Sequence, residues 1–321
     1  MSAHAISRAD RRDAPIRVLH VDDETEFLDL STQFFDSAAP NISIVPEQTG
    51  SAALDRLEVR DIDCIVSDFD MPEMDGLELF EKVRGRDPGL PFILLTARSR
   101  QEIAPRAIHA GVTDCFRKQV DTAHYTLLAH RIEQAVAQHR ATRRSKAYAL
   151  ASDAITRIHR GGSVDNITRA ICETVCSHDQ FDFAWVGFTD DSRTRIEARS
   201  AATSESTEHG RLGEWNVANS GPAGIVGDAI ETGETHLCTT IEEGAMPDGF
   251  VGVEEPPSAA IAIPLILADT PEGVFGVSTN SADGITDSEQ RCLEWVVEEY
   301  VRILRDHDAV EDYRSEGLDN L

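Results

Sequence analysis

Five polar residues stand where short apolar runs end. Asp22 and Asp23 follow IRVLHV (16–21), and Asp68 closes CIVSD (64–68). Thr96 closes PFILLT (91–96), and Lys118 closes TDCFRK (113–118). Three carboxylates brought together raise one another's pKa unless a cation joins them. Oxygen-only ligation completed by water suits Mg²⁺. A cation so held neutralises a phosphoryl group approaching Asp68, whose carboxylate would attack phosphorus. Thr96 would donate a hydrogen bond to one phosphoryl oxygen, and Lys118 would pair with another. Lys118 is one of only three lysines, with Lys82 and Lys146, among 30 Lys and Arg residues. A compact point charge is kept here in a chain that otherwise uses arginine.

The elements that must gather these residues show as alternating patterns. Strand-like runs at 16–21, 42–45, 64–68, 91–96 and 113–118 alternate with helical patterns at 24–37, 50–58, 77–84, 101–110 and from about 124. The strands are apolar almost throughout, as strands covered on both faces are. This predicts an α/β fold, a doubly wound five-stranded parallel sheet with helices on both sides. Ligands of such sheets bind beyond the carboxyl ends of the strands, where the five polar residues fall.

HVDDE (20–24), SDFDMPEMDGLEL (67–79), LLTA (94–97) and GVTDCFRK (111–118) together resemble a response-regulator receiver domain of flavodoxin-like topology. The resemblance covers residues 16–138. It implies that Asp68 is the phospho-acceptor. It also implies that Asp22, Asp23 and Asp68 hold Mg²⁺ with the backbone carbonyl of Asp70. Thr96 and Lys118 would bind the phosphoryl group and carry the switch, and a partner histidine kinase would be the phosphodonor. Two positions depart from the family pattern. Receivers usually follow the lysine with proline, often in a cis bond; here Gln119 stands there. A cis bond before a non-proline residue costs roughly 2.5–4 kcal/mol, so a trans bond is expected. Receivers also commonly carry Tyr or Phe three residues before the lysine. That position is Cys115, with Phe116 beside it, so the usual aromatic relay is weakened or replaced.

Residues 125–159 contain neither Pro nor Gly and read as one helix, interrupted at Gly161 and Gly162. Between 140 and 160 six Arg and Lys face one acid, Asp153. This stretch reads as a solvated helical linker; the sharper reading is a connector that couples two domains and pairs with a second copy in a homodimer. The chain then changes character. Strand-like runs at 183–190, 195–202, 235–240, 259–267 and 273–280 lie among helices at 164–176, 224–232 and 287–304. Strands so grouped, with helices at both ends, predict an α+β domain.

NITRAICETV (166–175), DFAWVGFTD (182–190), GPAGIVGDAIETGE (221–234), AAIAIPLI (259–266) and EGVFGVSTNSADGITDSEQ (272–290) together resemble a GAF domain. That is a small-molecule-sensing module built on an antiparallel sheet; a PAS-like sensor is the alternative. The expected plan is a receiver at 14–139, a helical linker at 140–160, a GAF-like domain at 161–305 and an acidic tail at 306–321. No GAF ligand is assignable. Trp185, Trp215 and the stretch 203–220 could shape a pocket, though Trp185 reads better as filled core. Cys172, Cys176 and His178 have half-site spacing. A closed zinc site needs four ligands, and the two cysteines read as core. No local motif supports a bilin on Cys238 or haem on His209 or His236.

The 321 residues hold 57 Asp and Glu against 30 Lys and Arg, a formal charge of −27. That balance argues against nucleic-acid binding, which needs clustered basic residues; its one support is the basic stretch around Arg143 and Arg144. The acid excess with so little lysine resembles proteins of salt-accumulating halophilic archaea. There the Debye length shrinks to about 3 Å at 1 M salt and self-repulsion is screened. Six cysteines are too sparse for a disulfide framework. No leader and no run of ~18–20 apolar residues is expected, so a cytoplasmic protein away from membranes is anticipated. No kinase ATP-binding boxes, helix-turn-helix or cyclic-dinucleotide signature follows the second domain. The reading is a two-component response regulator without a DNA-binding output, whose downstream protein partner is open. It would be no enzyme beyond its own phosphoryl transfer and autodephosphorylation. The competing reading is a GAF-based small-molecule sensor or scaffold with a degenerate receiver.

Overall fold

A computed structural model describes residues 15–59, 62–97, 106–107, 110–190, 192–204, 214–216, 224–239, 257–281 and 284–306. The chain separates into two compact units, Met1–Arg143 and Arg144–Leu321.

The first unit is built on β1 (Ile16–Val21), β2 (Ile42–Glu47), β3 (Cys64–Asp68), β4 (Phe92–Thr96) and β5 (Asp114–Arg117). Its helices are α1 (Thr25–Ala38), α2 (Gly50–Val59), α3 (Gly76–Arg86) and the first part of α4 (Thr122–His159). The helix expected over 101–110 lies almost wholly outside the described residues. The strands pair in parallel in the order β2-β1-β3-β4-β5. This is the expected doubly wound sheet, with the chain reversing direction beside β1. Successive strand residues face opposite sides, so each strand feeds two cores. Leu19, Val21, Ile65, Leu94 and Cys115 pack with α2 and α3. Val18, Val66, Ile93 and Leu95 pack with Phe27 and Phe35 of α1 and with Tyr125, Leu128 and Ile132 of α4.

α3 begins in a capping box. The Asp75 carboxylate accepts from the Leu77 and Glu78 N–H groups at 2.9 and 2.8 Å, and Glu78 accepts from the Asp75 N–H at 3.0 Å. Such a cap supplies about 1 kcal/mol and fixes where the loop after Asp68 ends.

The second unit is a six-stranded antiparallel sheet with order β8-β7-β6-β11-β10-β9. Its strands are β6 (Phe183–Thr189), β7 (Arg195–Thr203), β8 (Glu214–Asn216), β9 (His236–Cys238), β10 (Ala259–Leu267) and β11 (Thr270–Thr279). Its helices are α5 (Val164–Cys176), α6 (Ile225–Thr232) and α7 (Asp287–Asp306). β8 falls in the stretch 203–220, for which the sequence predicts no strand. It is three residues long, too short to show alternation, and only pairing with β7 defines it.

One sheet face carries Ala184, Val186, Ile261, Ile263, Phe275 and Val277 against α5 and α7. Ala147, Leu150, Ala151, Ala154 and Ile158 of α4 are buried in that same core. The stretch 140–160 is therefore more than a solvated linker. Its apolar residues recur at helical spacing and form one buried stripe, while Arg144, Arg157 and Arg160 take the exposed positions. On the other face, Phe183, Trp185, Ala260, Ala262 and Val274 pack with α6.

Candidate functional site

The tips of β1, β3 and β5 bring the chemistry together. Asp22 is fully buried and Asp68 is 5% exposed, while Asp23 is exposed. Carboxylate oxygens of Asp22, Asp23 and Asp68 all lie within 4.8 Å of one another, the one such cluster among the described residues. Lys118 reaches in from the end of β5. Its Nζ is 3.0 Å from Asp22 Oδ1, 3.4 Å from Asp68 Oδ2 and 3.1 Å from Glu24 Oε1. The Lys118 backbone N–H donates to the Thr96 carbonyl at 2.7 Å, which ties β4 and β5 together just below the pocket. Thr96 itself is buried at the end of β4. Asp70 is exposed, two residues beyond Asp68.

The electrostatics are undercompensated. Burial pushes the Asp22 carboxyl up to about 6, against the Lys118 hydrogen bond and the Glu24 N–H that lower it. Burial also raises Asp68, opposed by Lys118 and by the Phe69 N–H, which donates to Asp68 Oδ1 at 2.8 Å. Burial works against the Lys118 charge as well. The Asp22 hydrogen bond and the charges of Asp22 and Asp68 outweigh it and hold the ammonium above its usual pKa. One ammonium thus faces Asp22, Asp68 and Glu24, with Asp23 adjacent. A hard divalent cation fits this all-oxygen donor set, because it supplies the positive charge that the carboxylates lack.

The two departures have structural outcomes. No cis peptide bond occurs among the described residues, so the Lys118–Gln119 bond is trans as expected, and Lys118 still reaches both buried aspartates. Cys115 is buried on the α2–α3 side of the sheet. Phe116 packs on the α1–α4 side, edge-on to His124 with centroids 6.2 Å apart. Phe116 therefore cannot stand in for an aromatic side chain at Cys115.

Three residues near the pocket had no role assigned from sequence. Glu24 is a further carboxylate on Lys118. Phe27 lies under the ammonium, with Nζ 4.5 Å from its ring centroid. His20 is 1% exposed, and neither ring nitrogen has a hydrogen-bond partner; burial and Lys118 lower its pKa to about 3. The run from His20 to Phe27 spans β1's end and α1's first turn. Only the parallel sheet, which sets the carboxyl ends of β1 and β5 at one edge, reveals that Lys118 is their neighbour.

In the second unit the thiols of Cys172 and Cys176 lie 3.9 and 3.1 Å from the Ser200 and Ala202 carbonyls. Burial pushes Cys176 up to about 12 and raises Cys172 too. They are buried core residues, and among the described residues they join no cluster of metal-ligating side chains. Trp185 is 3% exposed, and its indole fills the space beside Gly276 and Gly187. The side chains of His209 and Trp215 lie outside the described residues, and Cys238 is half-buried on β9.

Residues 18–130 match the family model described as response regulator receiver domain, and residues 162–305 match that of the GAF domain. The transcriptional regulatory protein GlrR of Escherichia coli is 34% identical over 121 residues, 37% of this chain and 27% of GlrR. A protein of Leptolyngbya boryana, described as an uncharacterized 14.6 kDa protein in the sodA1 3′ region, is 36% identical over 110 residues. That match covers 34% of this chain and 82% of the relative. The GAF domain of an Acinetobacter phosphoenolpyruvate-protein phosphotransferase is 12% identical, with a TM-score of 0.42 over 50% of this chain and 94% of that one. The chain spans about a quarter of GlrR's length. The chain belongs to the receiver-domain family, and a GAF domain follows its receiver. Both are signalling domains. No described helix is long and apolar enough to cross a membrane.

Proposed function

We propose that this chain is a two-component response regulator that accepts a phosphoryl group on Asp68 from a phosphohistidine of a partner kinase. The observation that carries this is the position of Lys118, whose one ammonium meets both Asp22 and Asp68 inside a three-carboxylate cluster. Asp22, Asp23 and Asp68, with the Asp70 carbonyl, would hold Mg²⁺. When bound, the ion neutralises charge on the phosphoryl oxygens. Asp68 Oδ attacks phosphorus, the P–N bond to the donor imidazole breaks, and the aspartyl phosphate forms. Lys118 then exchanges a carboxylate for a phosphoryl oxygen, and the Thr96 hydroxyl donates to another.

In this reading the receiver spans 14–139, a helical linker 140–160, the GAF-like module 161–305 and an acidic tail 306–321. The GAF module serves as the signalling surface, and nucleic acid has no part in the reading. The acid excess and scarce lysine support a protein adapted to a salt-rich cytoplasm, which makes KCl the medium for assays.

The test is intact mass after incubation with Mg²⁺ and acetyl phosphate in KCl, beside Asp68→Asn. The expected result is a single adduct of about 80 Da, one phosphoryl group, dependent on Mg²⁺ and missing from the variant. No adduct from this donor or a cognate kinase overturns the reading in favour of a sensor or scaffold with a degenerate receiver.

A further inference from the structure

We infer that Phe27 is a positioning residue for Lys118, its ring forming the wall that keeps the ammonium on Asp22 and Asp68. This deepens the phosphoryl-acceptor reading and rests on it. The lysine stem is a flexible chain ending in a compact charge, so its carboxylate neighbours alone do not decide where the head sits. Of the three carboxylates on Nζ, the Glu24 side chain is 68% exposed, whereas the side chains of Asp22 and Asp68 are 0% and 7% exposed. Glu24 therefore draws the ammonium outward. The face of Phe27, 4.5 Å from Nζ, attracts the cation through its quadrupole and keeps its head in the pocket.

The ring is itself held still. His20 meets it edge-on, with centroids 5.9 Å apart. Tyr125 lies 6.4 Å away and is stacked at 4.5 Å on Phe34. The Tyr125 hydroxyl is 3.0 Å from Ser31 Oγ, and Ser31 donates to the Phe27 carbonyl at 2.8 Å. Phe27 is 5% exposed. This aromatic wall lies on the α1–α4 side of the sheet, the side that Cys115 does not face.

The test compares Phe27→Leu, Phe27→Tyr and Phe34→Leu. Phe34 belongs to the same aromatic cluster and serves as the control for loosened packing. With lysine labelled at its ε-carbon, the protein gives three NMR signals, from Lys82, Lys118 and Lys146, and Lys118→Arg identifies the one of interest. The expected result is an upfield ring-current shift of the Lys118 ε-protons that Phe27→Leu abolishes and that Phe27→Tyr and Phe34→Leu retain. Phosphorylation by acetyl phosphate should slow roughly threefold to tenfold in Phe27→Leu, the range a partly desolvated cation–π contact supports, and recover in Phe27→Tyr. Equal slowing in Phe34→Leu and Phe27→Leu, or a Lys118 signal indifferent to Phe27, overturns the inference. A wild type that takes up no phosphoryl group fails the functional reading and this one with it. A wild type that does, matched by Phe27→Leu, fails this one alone.

Discussion

A Cβ built on Gly76 would stand 2.3 Å from the backbone carbonyl oxygen of Asp68 and 2.8 Å from Leu94 Cδ2. The start of α3 is thus pressed against the strand end that presents Asp68. The Gly76 N–H also donates to the Phe69 carbonyl at 3.0 Å. Neither backbone nor buried leucine yields cheaply in a packed interior. Gly76→Ala is expected to cost about 1–3 kcal/mol and to displace Asp68 enough to slow phosphorylation. Urea unfolding and the acetyl phosphate assay check both; an unchanged rate in a folded variant refutes the coupling.

Divalent cation should stabilise the first unit. The cluster holds more carboxylate than Lys118 neutralises, so an ion bound only by the folded chain shifts the unfolding equilibrium by mass action. At ten times its Kd, Mg²⁺ is expected to add about 1.4 kcal/mol. Thermal unfolding with and without Mg²⁺ at fixed KCl reads this directly. The increment should vanish in Asp22→Asn, and an increment that survives there places the ion elsewhere.

His20 and Asp22 contribute opposite signs to the pH dependence of stability. The His20 pKa falls from 6.5 unfolded to about 3 folded, so between these values the unfolded chain binds more protons. Stability is then lost as pH drops through that window, by up to about 1.4 kcal/mol per pH unit for one group. Asp22 acts in the opposite sense. Its pKa rises from 3.8 to about 6, so the folded chain binds more protons there and gains stability on acidification. The two oppose each other below about pH 6, and the difference between wild type and His20→Leu isolates the histidine. The variant should gain on the wild type steadily as pH falls from 6.5 to 4.5. Parallel Tm–pH curves would exclude a buried neutral His20.

In the second unit a Cβ on Gly276 would fall 2.0 Å from Trp185 Nε1. Gly276→Ala is expected to expel the indole and cost about 1–3 kcal/mol or more. Tryptophan emission should shift to longer wavelength, and Asp68 phosphorylation should be spared. Loss of both would mean that the two units do not fold independently.

Much of this molecule is written in local patterns. Continuous apolar strands, amphipathic helices and the polar residues at the strand tips state the doubly wound sheet. Motif order states the GAF-type domain. Asp22, Asp23, Asp68 and Lys118 were legible because strand-end polar residues in a parallel sheet have one place to go. What sequence did not disclose depends on contacts between distant segments. β8 exists through pairing with β7, and the stripe from Ala147 to Ile158 shows its purpose only against the second unit's sheet. Cys115 and Phe116 are neighbours in sequence, yet the strand's two-residue period sends them to different cores. That Lys118 rests on Phe27, and that His20 is sealed in without a hydrogen-bond partner, follow from the sheet setting the ends of β1 and β5 at the same edge, beside the first turn of α1. Long-range packing alone decides such proximity, because hydrophobic periodicity specifies which face is buried and not which side chain it will meet.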